Sequence, residues 1–278
     1  MKNFLTPAET IAAIADAGVG KSRLDVGRMI VLGLLAGAYI GFAAHLATTV
    51  ATGDVSWFGF KKFMVGAVFS FGLMLVIIPG SELWTGNNLM VVPLIQGRIG
   101  ALSMLRNWVF VYGANFFGSV FLAFMIARYS GLLNGEVGAT AIRIAHAKMT
   151  AGGEGHAVEY FFRGVGCNWL VCLAVLIAMS AREVAGKVLG IFFPIMAFVA
   201  SGFEHCVANM YFLPAGIIAA ESDKARLLSG LGAPALESLS WSGMWAANLI
   251  PVTLGNLVGG AVLVGMAYCY CYGECKKD

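Results

Sequence analysis

Ser201-Gly202-Phe203-Glu204-His205 interrupts an apolar run over 187–219, and Pro79-Gly80-Ser81-Glu82 interrupts another over 62–95. Each interruption puts glycine and a carboxylate where an unbroken helix in lipid would accept neither without cost. About a dozen residues remain after each break, enough for half a membrane crossing at 1.5 Å per residue. Each remainder ends near a proline, Pro93 or Pro214. These two short stretches decide the fold, because they predict two spanning helices broken near mid-membrane.

Four further apolar stretches lie outside them, over 28–51, 100–128, 157–181 and 242–272. All six are long enough for about 30 Å of hydrocarbon. Hydrophobic residues make up 59% of the chain and charged residues 12%, with a mean hydropathy of +0.81. A soluble domain carries about 25% charged residues because its surface faces water. The 36 glycines suit helices whose backbones approach closely in lipid. An all-α integral membrane fold of six transmembrane helices is expected. The net charge of +3 and the lack of a basic run argue against nucleic acid as a partner.

The first 20 residues lack the pattern of a cleaved signal peptide. Thr6-Pro7-Ala8-Glu9 reads instead as a capping box that opens a short helix. Ile11, Ile14 and Val19 give that helix an apolar stripe suited to a membrane surface. Lys21, Arg23 and Arg28 then mark the water boundary. The expected organisation is an N-terminal amphipathic segment over 1–27, one transmembrane domain over 28–272 and a tail over 273–278.

The domain contains an internal repeat. Asn88-Leu89-Met90-Val91-Val92-Pro93 aligns with Asn209-Met210-Tyr211-Phe212-Leu213-Pro214. Downstream, Asn107, Asn115 and Gly118 return at the same spacing as Asn248, Asn256 and Gly259. Copies near 28–128 and 157–272 each hold three crossings, so the second must be inverted relative to the first. Inverted repeats with broken helices are an architecture of transport proteins. An even number of crossings puts both termini on one side, while Lys and Arg are spread too evenly to say which.

A half-helix inside the membrane points unpaired N–H groups and a positive dipole end at its surroundings. Two such ends facing each other favour an anion. Thr85 stands at the start of the first half-helix and His205 at the start of the second, and both can donate hydrogen bonds. Glu82 and Glu204 are expected to cap the free N–H groups and so belong to the scaffold. Lys148, in the polar connection between the third and fourth stretches, can raise the local anion concentration. Asn115, Asn168 and Asn256 are polar groups within apolar runs that bond between helices or line a passage. Phe69, Leu73, Leu83 and Phe198 can form apolar collars that exclude water. Cys269, Cys271 and Cys275 lack a nearby histidine, and no metal or cofactor is expected.

Gly80-Ser81-Glu82-Leu83-Trp84-Thr85-Gly86-Asn87, Ser201-Gly202-Phe203-Glu204-His205 with Ala208-Asn209-Met210, and the stretch Asn248–Asn256 together resemble the formate/nitrite transporter family. The resemblance runs along nearly the whole chain. It implies an aquaporin-like six-helix bundle assembled as a homopentamer in a prokaryotic cytoplasmic membrane, with both termini cytoplasmic. Each protomer of the family passes small monovalent anions such as formate, nitrite or hydrosulfide. The family's central histidine falls on His205, its pore threonine on Thr85, its vestibule lysine on Lys148 and its pore asparagines on Asn168 and Asn256. Its constrictions fall on Phe69, Leu73, Leu83 and Phe198, and its mobile, pH-linked gate on residues 1–27. Trp84 and Glu82 stand where similar formate channels carry phenylalanine and aspartate. A channel or transporter, with formate as leading substrate, is expected rather than an enzyme. A membrane-anchored enzyme or cofactor-bearing subunit is the alternative class, which the lack of a His-Glu-x-x-His or phosphate-loop motif disfavours.

Overall fold

The capping box closes as the sequence implies. In the computed structural model, which describes residues 3–150 and 156–273, Thr6 N–H donates to Glu9 Oε2 at 2.8 Å and Glu9 N–H to Thr6 Oγ1 at 3.4 Å. Pro7 supplies the first residue of α1, Pro7–Ser22. Its stripe does not lie open to lipid. Ile11 and Ile14 are buried in a cluster with Leu89, Val92 and Leu176, so α1 is packed onto the bundle. Arg98 pairs with Asp16 at 2.5 Å and holds it there.

The described residues are helical nearly throughout. Five helices are long and apolar enough to cross a membrane: α2 (Val26–Ala51), α3 (Phe58–Ile77), α5 (Ala101–Tyr129), α7 (His156–Ser180) and α12 (Trp241–Tyr272). Between α3 and α5 lies α4 over 84–95, whose middle turn, Asn88–Met90, is 3₁₀. Two shorter apolar helices, α8 (Val184–Ala200) and α9 (Cys206–Ala219), come after α7. The stretch over 187–219 is therefore two helices. The connection containing Lys148 is itself helical, α6 (Glu136–Thr150). Two short helices, α10 (Asp223–Ser229) and α11 (Ala233–Glu237), precede α12.

The long helices pack through backbone approaches that only glycine permits. A Cβ on Gly118 would lie 2.1 Å from the Leu34 carbonyl, and one on Gly259 would lie 2.3 Å from that of Val165. Helices α2 and α5 thus cross as α7 and α12 do, as small-residue packing in lipid requires. Exposed large side chains such as Leu102, Phe117, Phe121, Phe162 and Phe193 cover the outside. That is the pattern of a surface facing hydrocarbon or neighbouring protein rather than water.

Candidate functional site

Each helix interruption is built around one glycine. Gly80 has φ of +90° and Gly202 of +80°, a conformation that a side chain would strain. The chain turns back there, and Ser81 N–H donates to the Val76 carbonyl at 2.9 Å, as Phe203 N–H does to that of Phe198 at 3.0 Å. These bonds satisfy carbonyls left free by the ends of α3 and α8. Glu82 N–H then bonds the Leu32 carbonyl on α2, and Glu204 N–H that of Arg163 on α7.

The free N–H groups that open α4 and α9 are capped by asparagines from the long helices. Asn115 Oδ1 accepts from Trp84 N–H at 2.9 Å. Its amide donates to the carbonyls of Gly33 at 2.8 Å and Glu82 at 2.9 Å. Asn256 Oδ1 accepts from Cys206 N–H at 2.9 Å, and its amide donates to the carbonyls of Gly164 at 2.8 Å and Glu204 at 2.9 Å. The expectation that Glu82 and Glu204 cap these ends is corrected. Their carboxylates turn to lysines instead, because a buried charge gains more from a counter-charge than from a neutral amide.

Glu82 accepts from Lys21 Nζ at 2.6 Å and from Asn87 Nδ2 at 2.7 Å. Glu204 accepts from Lys148 Nζ at 2.7 and 2.8 Å and from Asn209 Nδ2 at 2.6 Å. Asn87 also donates to Asn107 Oδ1 at 2.8 Å, and Asn209 to Asn248 Oδ1 at 2.6 Å. Asn107 and Asn248 in turn donate to the carbonyls of Lys21 at 3.4 Å and Lys148 at 3.0 Å. The contacts thus pair Asn209 with Asn87, one residue away from the Asn88 that the sequence repeat matches to it. Lys148 is not a free charge, since Glu204 holds it beneath the Phe212 ring, 5.4 Å from the centroid.

At the centre Thr85 Oγ1 and His205 Nε2 are 2.9 Å apart, and both residues are buried. His205 Nδ1 accepts from Ala208 N–H at 3.1 Å, so the neutral ring carries its proton on Nε2 and donates it to Thr85. A cavity of about 440 Å³ is lined by Lys21, Leu73, Glu82, Leu83 and Asn87. A second, of about 530 Å³, is lined by Phe69, Lys148, Phe198, Glu204 and His205, and Thr85 lines neither. The candidate collar residues therefore divide two and two between the cavities, and Phe69 and Phe198 meet edge to face at 5.8 Å.

Asn168 and Asn256 line neither cavity. Asn168 Nδ2 donates to the carbonyls of Thr85 at 3.2 Å and Asn256 at 2.7 Å, and to Asn88 Oδ1 at 3.1 Å. Both asparagines hold the backbone behind the Thr85–His205 pair. Cys269 and Cys271 lie in α12, and Cys275 falls outside the described residues. Among the described residues no cluster of three His, Cys, Asp or Glu side chains could hold a metal.

Sequence reasoning did not single out Lys21, Asn87, Asn209, Tyr112 or Thr253 as site residues. Tyr112 and Thr253 join hydroxyls at 2.9 Å, and the Tyr112 ring meets that of Trp84 at 5.3 Å. The spacing of 141 that relates Asn107 to Asn248 also relates Tyr112 to Thr253 and could have pointed to that pair. Nothing local could have linked Lys21 to a carboxylate 61 residues away.

Known proteins resemble this chain over nearly its whole length. The family described as formate/nitrite transporter matches residues 8–270. A probable formate transporter of Methanothermobacter thermautotrophicus is 41% identical, over 97% of this chain and 98% of that one. The formate channel FocA of Haemophilus influenzae is 38% identical, over 94% and 93% of the two chains. Among solved structures, a pentameric formate channel with formate bound superposes with a TM-score of 0.78 at 35% identity, covering 90% of this chain and 98% of that one. These relatives are channels and transporters, not enzymes. With its glycine-turned, asparagine-capped helix ends and its similarity to those proteins over nearly the whole chain, this integral membrane protein belongs to the formate/nitrite transporter family.

Proposed function

We propose that each protomer conducts a small monovalent anion, formate foremost, between the two cavities and past the Thr85–His205 pair. The fold we infer is the aquaporin-like one: six spans, two of them broken at 78–83 and 201–205, in repeats of opposite orientation. The observation that carries the reading is the buried hydrogen bond, at 2.9 Å, between Thr85 and His205, with His205 in the wall of the larger cavity and Leu83 and Gly86, on either side of Thr85 in the chain, in the wall of the smaller. Two donors stand there behind apolar walls on either side, Leu73 and Leu83 facing one cavity and Phe69 and Phe198 the other.

The chemistry rests on what each group can give. An anion leaving a cavity sheds water against the apolar residues, and lost hydration must be replaced by donors. While His205 Nε2–H donates to Thr85, the Thr85 hydroxyl proton remains available to the anion. An anion that displaces Thr85 takes the Nε2–H itself. In this tautomer the ring is a hydrogen-bond donor and not an acid. A proton-coupled cycle requires Nδ1 to gain a proton and release Ala208 N–H. Asn168 and Asn256 fix the geometry from behind, and Lys148 tempers Glu204 at the larger cavity.

One structural relative is a pentameric formate channel, and a homopentamer with one pore per protomer fits the apolar exterior of this chain. We place the protein in a cytoplasmic membrane with both termini inside, residues 28–272 forming the transmembrane domain. We assign the gate to the segment 1–27, of which α1 forms a wall of the smaller cavity through Ile14, Gly18 and Lys21. Formate, nitrite, hydrosulfide and lactate flux into proteoliposomes tests the reading, and formate should pass fastest. Indifference to all four would overturn it. His205→Phe should cut formate flux about tenfold to a hundredfold, the equivalent of one hydrogen bond to a charged group. Unchanged flux in that variant would remove the histidine from the path.

A further inference from the structure

The two cavities differ in charge more than in size. Only Lys21 and Glu82 carry charge in the wall of the smaller one, and they cancel at 2.6 Å. The larger is lined by Lys61, Lys62, Lys148 and Arg163 against the single carboxylate of Glu204. Lys148 is bound to that carboxylate, and Arg163 is offset from outside by Glu159 at 3.2 Å.

Lys61 and Lys62 are the uncompensated pair. Lys61 Nζ rests on the Gly53 carbonyl at 2.6 Å, and Lys62 Nζ sits over the Phe58 ring, 5.6 Å from its centroid. Among the described residues neither meets a carboxylate within ion-pair distance. Their position also opposes local stability. They lie in the opening turns of α3, which has no acidic residue in its first turn and no side-chain cap. Cations at that end face the positive end of the helix dipole. Two lysines and an uncapped helix start therefore direct positive potential into one cavity, where apolar walls such as Phe69, Phe198 and Phe212 weaken screening.

We propose that Lys61 and Lys62 form an anion-collecting site in the larger cavity, so that small carboxylates saturate the protein at lower concentration from the face opposite α1. The inference rests on the anion-conducting reading above. It departs from a collecting role for Lys148, whose charge Glu204 already balances. Passive permeation obeys detailed balance, so kcat/KM must be equal from the two faces. The asymmetry therefore appears in KM, with a compensating difference in kcat.

The test is labelled formate uptake into right-side-out and inverted vesicles, for the wild type, K61Q/K62Q and K61R/K62R. At about 10 mM ionic strength the screening length is about 30 Å, and at about 1 M it is about 3 Å. At low salt, KM from the larger-cavity face should be roughly threefold to tenfold below that from the α1 face, the lower range for charge-focused capture. K61Q/K62Q should abolish the difference, K61R/K62R should keep it, and high salt should erase it in the wild type. Equal KM values from the two faces at low salt, or an asymmetry that K61Q/K62Q leaves intact, would overturn the site while anion conduction stands. No flux of formate or nitrite from either face would overturn the conducting reading and the site together.

Discussion

The polar cluster at Glu82 and the polar cluster at Glu204 are the same object built twice. Lys21, Glu82, Asn87, Asn107 and Asn115 make the contacts that Lys148, Glu204, Asn209, Asn248 and Asn256 make, save that Lys148 reaches both oxygens of its carboxylate and Lys21 one. The copies part company in the next three residues, Leu83-Trp84-Thr85 in one and His205-Cys206-Val207 in the other. The scaffold that turns the chain and caps the helix starts at Trp84 and Cys206 is thus repeated, and the groups offered at the centre are not. Leu83 occupies the place of His205, and each copy contributes one half of the central hydrogen bond from a different position. One donor pair at one spot results, instead of two histidines in the same small volume.

The equivalence breaks most visibly if the capping asparagines prove unequal. Asn115→Ala and Asn256→Ala each strand one N–H and two carbonyls in the core. Both should lose about 3–5 kcal/mol, the low end of three groups at about 1–3 kcal/mol each, because the Gly33 and Gly164 carbonyls lie within helices. Thermal unfolding of the purified protein in detergent should give closely matched drops, and a difference of more than about 2 kcal/mol would deny that the sites are equivalent. A smaller contrast should appear at the lysines, whose side chains are 18% exposed at Lys148 and 29% at Lys21. Lys148→Met should cost about 2–3 kcal/mol and Lys21→Met about 1–2 kcal/mol, both below the figure for a fully buried pair broken on one side. The reverse order would show that water access does not set the strength of these bridges. Least affected should be Tyr112→Phe, which loses only the bond to Thr253, about 1 kcal/mol. Its formate flux should stay within about twofold of wild type, and a larger fall would bring the hydroxyl into the pathway.

Glycine and a carboxylate stand out inside an apolar run, and Gly80 and Gly202 do turn the chain where they stand. The pairs Asn107/Asn248 and Asn115/Asn256 were legible as a repeat. Their task was not, because a side chain that caps a helix 31 or 50 residues away leaves no local trace. The same limit hid the ion pairs and made Glu82 and Glu204 look like caps. The match between the copies slipped by one because Asn87 and Asn88 are adjacent and Pro93 drew it toward Pro214. Glu82 precedes its proline by 11 residues and Glu204 by 10, and the Asn88–Met90 turn is 3₁₀ in one copy only. In sequence Lys148 resembles a loop lysine, because Glu136, Arg143, His146 and Lys148 interrupt the apolar residues of α6 and give it the look of a polar connection.

The hydroxyl contact between Tyr112 and Thr253 joins two corresponding positions of the repeat. Were a half-length chain to pair with a twin of itself, this spot would bring one residue face to face with its own duplicate. Twin tyrosines would need room for a second ring, and twin threonines would fall short of each other. A large residue opposite a small one is closed to identical halves and open to halves free to differ, as those of this chain are.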